Sequence, residues 1–299
     1  MKQQIKSSLI LLLTATIWGV AFVAQSVGME YIGPFTFNAI RCVLGGMVLI
    51  PVILVLKKKK ETGAENQEKE DKKTLWMGGI ACGVILCIAS NLQQFGIMEA
   101  SVGKSGFFTA LYIVMIPVIG IFIGKRPGIK LWFCVALAVV GMYLLCMKDG
   151  SFTIERADIM LLLCALAFSF HILVVDYFSP KVDGVKMSCI QFFVCGVLSA
   201  AGMLFTETPD ISNIQAAWLP LLYAGLLSCG VGYTLQIVGQ KGVNPVIASL
   251  IMSLESVISA LAGWVILGQV LSPKEILGCV LMFVAIIITQ IPIGNKKTD

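Results

Sequence analysis

Ten stretches of mainly apolar residues follow one another along the chain, at about 7–28, 34–56, 75–97, 102–123, 131–147, 157–177, 185–205, 217–238, 245–267 and 275–291. Each is near the roughly 20 residues that a helix needs to cross a hydrocarbon core about 30 Å thick, and a helix satisfies its backbone polar groups within the segment. The pattern predicts an all-α integral membrane protein with ten transmembrane helices. Lys2 and Lys6 precede the first stretch as in a secretory signal, but the apolar run is longer than a signal core and no small-residue cleavage site follows it, so it reads as a retained span.

The stretches fall into two sets of five, residues 1–150 and 151–299. An offset of 150 places Leu11, Leu12, Leu13 and Ala15 over Leu161, Leu162, Leu163 and Ala165, Ile40 over Ile190 and Gly46 over Gly196. Later in each half an offset of 144 places Ser105 over Ser249, Gly124 over Gly268 and Lys130 over Lys274. With an odd number of spans per half, two such copies face opposite ways in a membrane. The expected architecture is two inverted five-helix repeats with a binding site near the midplane where they meet, the build of an alternating-access carrier.

Composition agrees: 58% of the 299 residues are hydrophobic and 13% charged, against about 25% charged in soluble domains. Lys2, Lys6, Lys57, Lys58, Lys59, Lys60, Lys69, Lys72, Lys73, Lys125, Arg126, Lys130, Lys181, Lys186, Lys241, Lys296 and Lys297 fall in segments on the N-terminal side of the membrane. Lys104, Lys148, Arg156 and Lys274 fall on the other. This asymmetry predicts that both termini are cytoplasmic. The net charge of +5 is therefore a topology signal and not a nucleic-acid footprint. The loop 57–73 mixes lysines and acids without apolar residues and reads as solvated.

All ten cysteines, Cys42, Cys82, Cys87, Cys134, Cys146, Cys164, Cys189, Cys195, Cys229 and Cys279, lie in or beside apolar spans, and none forms a C-x-x-C pair. They mark neither a disulfide framework nor a zinc site and read as small packing residues.

The segments from Thr14 to Gly19, from Gly106 through Tyr112 to Pro117, from Gly124 to Pro127, and Leu254-Glu255-Ser256 through Gly268-Gln269 resemble the EamA-type carriers of the drug/metabolite transporter superfamily. The likeness covers nearly the whole chain. It implies ten helices in two inverted repeats and transport of small metabolites, often export of amino acids or related compounds, across a bacterial cytoplasmic membrane, with no cofactor. Two positions depart from the family pattern: Ser256 stands where a proline is common, and Gln269 where a glutamate is usual.

A transport path is sought among polar groups that are costly in lipid and so turn toward a cavity or each other. Glu255, near mid-span, flanks a stripe of Ser249, Ser253, Ser256, Ser259 and Gly263 on one helical face. It reads as a cavity carboxyl that carries a proton or holds a substrate ammonium, or else as a satisfied structural group. Arg41 lies about seven residues from the outer end of its span, roughly 10 Å. From there it either snorkels to the interface or turns inward to hold a carboxylate. His171, the only histidine, is a second candidate for proton coupling or a hydrogen-bonded structural group. Trp18 and Tyr112 are placed to wall a cavity or to pack. Asn91, Gln93 and Gln94 give the third span a polar end that gates or caps it, with Asn38 and Gln236 as weaker candidates of the same type. Pro117 invites a kink within the fourth span.

These features fit a secondary transporter of small metabolites, an exporter of amino-acid-like or related polar and aromatic compounds, with Arg41 and Glu255 holding the two poles of a zwitterion. The alternative is a carrier or flippase for a lipid-linked or cationic amphipathic compound. An intramembrane enzyme is a remote third, since no H-E-x-x-H, G-x-S-x-G or paired catalytic carboxylates are found. The expected partners are the small-molecule substrate and the lipid bilayer, with no nucleic acid. Small-residue faces on the fifth and tenth spans are compatible with a homodimer and equally with packing inside one chain.

Overall fold

A computed structural model describes residues 2–62, 71–100, 102–124, 127–146, 155–268 and 272–291. Residues 63–70 of the loop 57–73, with Lys69, lie outside the described residues, as do Lys125, Arg126, Lys148, Gln269 and the end of the chain from 292.

Among the described residues every regular element is helical. In chain order they are α1 (Lys2–Gly28), α2 (Pro34–Thr62), α3 (Lys72–Glu99), α4 (Val102–Ala110), α5 (Tyr112–Phe122), α6 (Ile129–Cys146), α7 (Arg156–Phe178), α8 (Gly184–Thr206), α9 (Ile211–Ala216), α10 (Trp218–Leu222), a π-helical segment (Tyr223–Tyr233), α11 (Thr234–Gln240), α12 (Pro245–Met252), α13 (Glu255–Leu267) and α14 (Pro273–Gln290). Among the described residues, eight continuous or nearly continuous helical stretches are long and apolar enough to cross a membrane: Gln4–Gly28, Pro34–Lys58, Lys72–Glu99, Lys104–Phe122, Arg156–Phe178, Gly184–Thr206, Trp218–Gln240 and Pro245–Ile266. Ten were expected. The fifth and tenth apolar stretches form α6 and α14, each of 18 residues, and residues 147–154, 269–271 and 292–299 beside them fall outside the described residues.

Local chemistry sets the helix ends. Asp71, Asp183 and Asn244 accept backbone N–H bonds at the starts of α3, α8 and α12, and Ser272 with Glu275 forms a reciprocal capping box at α14. Gly124 and Gly268, one after α5 and the other after α13, adopt φ of 80° and 69°, a left-handed conformation that spares glycine the Cβ clash.

α2 packs along α8 and the π-helical segment, α3 lies against α7 and α8, α6 pairs with α14, and α1 lies against α13, α11 and the π-helical segment. Small residues permit the closest approaches. A Cβ on Gly83 would come within 2.6 Å of Val194 Cβ, and one on Gly19 within 2.4 Å of Ile258 Cβ. The main core joins residues from almost all of these helices, while the outward faces carry exposed Leu, Ile, Val, Phe and Trp side chains, as a lipid-facing surface requires.

Two spans are interrupted. The break between α4 and α5 falls at Leu111 and not at Pro117, which sits inside α5. There Leu111 N bonds Phe108 O at 3.2 Å and Val114 N bonds Leu111 O at 3.0 Å, a tightened turn. The second break, at Ser253–Leu254, shows the same geometry in Leu254 N to Ile251 O (3.2 Å) and Ser256 N to Ser253 O (3.1 Å). Here serine hydroxyls compete for the carbonyls: Ser249, Ser253, Ser256 and Ser259 each donate to the carbonyl three residues back, at 2.9, 2.8, 2.7 and 2.8 Å. Such back-bonding bends helices.

Candidate functional site

The residues that restart the two broken helices, Tyr112 and Glu255, line one cavity. Its wall takes Trp18, Ala21, Phe22 and Gln25 from α1, Arg41 from α2, Gln93 from α3, Thr109 from α4 and Tyr112 from α5. The other half of the chain adds Phe168 and Ile172 from α7, Ser228 and Tyr233 from the π-helical segment, Gln236 from α11 and Glu255 from α13. Apolar and aromatic surface with a few polar groups is the usual make-up of a small-molecule site.

Glu255 is the first residue of α13 and only 4% exposed. Tyr112, the first residue of α5, donates its hydroxyl to Glu255 Oε1 at 3.0 Å. Arg41 is 2% exposed, so its guanidinium turns into the cavity wall and does not snorkel. It donates through Nη1 to Gln25 Oε1 at 2.7 Å and lies 5.6 Å from the centre of the Phe37 ring. Arg41 supplies the guanidinium of the wall and Glu255 its carboxyl, and among the described residues neither is in an ion pair. A buried charge without a counter-charge is costly, so each group, when charged, gains from a ligand group of opposite charge.

Tyr233 is an aromatic hub, with its ring centre 4.6 Å from that of Trp18, 6.0 Å from His171 and 5.7 Å from Phe192. Trp18 Nε1 donates to the Ser228 carbonyl at 3.4 Å, tying α1 to the π-helical segment. Gln93 Nε2 donates to Thr109 Oγ1 at 3.4 Å, and Gln236 Nε2 to Gln240 Oε1 at 3.4 Å.

Of the residues singled out from sequence, Glu255, Arg41, Trp18, Tyr112, Gln93 and Gln236 meet in this wall. Five stand apart from it: His171, Asn91 with Asn38, Gln94 and Ser253. His171 is fully buried behind it, with Nε2 3.1 Å from Gln191 Oε1. Asn91 belongs to a network in which it accepts from Asn38 Nδ2 at 2.9 Å and donates to the Cys87 carbonyl at 2.8 Å and Ser199 Oγ at 3.1 Å. Gln94 is buried with Nε2 3.4 Å from Met29 Sδ. Ser253 spends its hydroxyl on the helix break. The separation has one cause: a helix has several buried faces, and only one of them borders the cavity.

Sequence reasoning does not single out Gln25, Thr109, Ser228, Phe168 or Tyr233. Gln25 carries the one usable signal, a polar side chain within an apolar span, but it stands three residues before the end of α1, where an interfacial position explains it equally well.

A bundle of helices with lipid-suited outer faces, around a mainly apolar cavity that holds a few polar groups, fits a multi-pass membrane protein of the transporter class. The chain belongs to the EamA-like transporter family, which it matches twice, over residues 5–147 and 155–291; it is a transporter and not an enzyme. It is 27% identical over 282 residues to an uncharacterized transporter of Archaeoglobus fulgidus, covering 94% of this chain and 84% of that protein. It is 24% identical over 305 residues to the uncharacterized transporter YwfM of Bacillus subtilis, covering 97% and 96%. A solved crystal structure shares the fold, with a TM-score of 0.76 and 17% identity over 95% of this chain and 96% of that one.

Proposed function

We propose that this transporter is a secondary carrier in which two inverted five-helix repeats, residues 1–150 and 151–299, alternate the access of a shared site. The reading is supported by the double family match, by glycine turns at Gly124 and Gly268, and by helix breaks at Leu111 and at Ser253–Leu254. Broken helices at a repeat interface are where carriers of this kind bind their cargo.

The observation that carries the substrate reading is the pair Arg41 and Glu255, opposite in charge, from different halves of the chain, in one cavity wall. An amino-acid-like zwitterion supplies a carboxylate to Arg41 and Gln25 and an ammonium to Glu255. Trp18, Phe22, Phe168 and Tyr233 supply surface for its apolar part. In the absence of substrate Glu255 is the group placed to take a proton, which couples export to a proton gradient across a bacterial cytoplasmic membrane with both termini inside. His171, held by Gln191 away from the cavity, ties α7 to α8 through that hydrogen bond in this reading.

The test is uptake by inside-out vesicles of labelled amino acids, aromatic metabolites and small cations, with and without an imposed pH gradient. Gradient-dependent accumulation of zwitterions that Glu255→Gln abolishes is the expected result. Uptake of cations alone, or of zwitterions with the gradient response intact in the variant, overturns the assignment.

A further inference from the structure

Four thiols gather beside the cavity on four helices: Cys42 on α2, Cys87 on α3, Cys195 on α8 and Cys229 on the π-helical segment. The transport reading uses none of them. Cys42 Sγ donates to Cys195 Sγ at 3.4 Å across the interface between α2 and α8. Small residues bring these helices together: a Cβ on Gly46 would lie 3.0 Å from the Phe193 ring, and one on Gly196 would lie 3.0 Å from Val43 Cγ2. Cys189 Sγ also reaches the Gly46 carbonyl, at 3.5 Å. Cys42 and Cys195 are both buried, 1% and 0% exposed, so each sulfur has the other as a near neighbour, and the Arg41 guanidinium stands one residue from Cys42 in the chain.

We propose that Cys42 and Cys195 are a redox-convertible pair, and that a hydroperoxide links them into a disulfide that clamps α2 to α8. The sulfurs need to approach by about 1.4 Å, from 3.4 Å to the ~2.0 Å of an S–S bond. The oxidant is hydrogen peroxide or a small organic hydroperoxide, both small and uncharged. The Cys42 sulfur attacks one peroxide oxygen, the O–O bond breaks, and water or an alcohol leaves, so that Cys42 becomes a sulfenic acid. The Cys195 sulfur then attacks the Cys42 sulfur; the S–S bond forms, the S–O bond breaks, and the hydroxyl leaves as water with the Cys195 proton. Two thiols lose two electrons in total and one peroxide gains them. A thiol reductant reverses the bond by exchange.

The clamp joins the two halves of the chain. Its effect on transport rests on the alternating-access reading above; its chemistry does not.

The experiment treats the full-length protein in membrane vesicles with hydrogen peroxide, blocks remaining thiols with iodoacetamide, and maps cross-linked peptides by mass without reduction. One intramolecular Cys42–Cys195 link is expected, lost with dithiothreitol and absent from Cys42→Ser and Cys195→Ser. Transport should fall at least fivefold in the oxidised protein, recover on reduction, and stay unchanged by peroxide in Cys195→Ser. Free thiols throughout, or a link that joins Cys195 to Cys87 instead, overturns the pair; the mapped link with undiminished transport overturns the clamp. If no transport is detectable in any sample, amide hydrogen exchange of α2 and α8 decides the clamp. A tenfold slowing on oxidation supports it and no change overturns it, while only the carrier reading then fails.

Discussion

Tyr112 and Glu255 are each the first residue after a break in a membrane-crossing helix, and they meet: the Tyr112 hydroxyl donates to Glu255 Oε1 at 3.0 Å. A helix that restarts presents a side chain free of the regular stacking of the preceding turn. Two such restarts, facing each other, put a carboxyl and a phenol in the wall of the cavity.

Tyr112→Phe removes the donor and leaves the ring in place, so it separates binding chemistry from packing. Loss of a hydrogen bond to a charged group costs about 1.5–3 kcal/mol. In the carrier reading the ammonium site is disturbed, and half-saturating substrate should rise about tenfold in vesicle uptake. Glu255→Gln retains an oxygen acceptor for Tyr112, so thermal unfolding in detergent should change little while the gradient response is lost.

Gln25 is the side-chain acceptor for the buried Arg41 guanidinium among the described residues. Gln25→Leu strips that partner at nearly constant volume and should destabilise by about 1–3 kcal/mol, read as a lower melting temperature in detergent. Arg41→Met removes the buried charge along with its need for a partner, so it should melt no lower than Gln25→Leu. Transport of carboxylate-bearing substrates should be lost in Arg41→Met and retained for substrates that lack one.

Gly19 lets α1 approach the helix that carries Glu255. A Cβ there would lie 2.4 Å from Ile258 Cβ and 2.8 Å from the Glu255 carbonyl. Gly19→Ala should therefore cost about 1–3 kcal/mol as an overpacked contact and displace α13. Lower thermal stability together with weaker uptake is expected; an unchanged melting curve would show that the interface is looser than this contact requires.

Glu207, just beyond α8, caps the start of α2 from the other half of the chain. Its carboxylate accepts from Phe35 N at 2.9 Å, Thr36 N at 2.9 Å and Thr36 Oγ1 at 2.6 Å. At the same end of the bundle Lys104 lies 2.9 Å from Glu155 and 3.0 Å from Asp158. Glu207→Ala should destabilise by about 1 kcal/mol, the usual worth of a cap. If this end opens during transport, the same variant should also react faster with a membrane-impermeant thiol reagent at a cysteine introduced for Phe35.

Much of this protein is written in one dimension. The apolar stretches and the short loops with uneven lysine follow from the cost of leaving backbone polar groups or charge in hydrocarbon, which acts on every segment separately. Glu255 and Arg41 are conspicuous for the same reason. The register of the Gly124 and Gly268 turns is also legible, because left-handed helix ends favour glycine wherever they occur.

What the tertiary structure alone decided is which face of each helix borders the cavity. Asn91 and Gln93 are two residues apart on α3, yet one bonds Asn38 and Ser199 while the other lines the wall. Ser253, in the most conspicuous polar stripe, bends its own helix, whereas Gln25 near the end of α1 holds Arg41. Hydropathy records how much each residue loses by leaving water, and that loss is the same on every buried face. Packing at Gly19, Gly46 and Gly196, the break at Leu111 and the pairing of Tyr112 with Glu255 depend on neighbours far apart in the chain, so their outcome exists only once the helices are assembled.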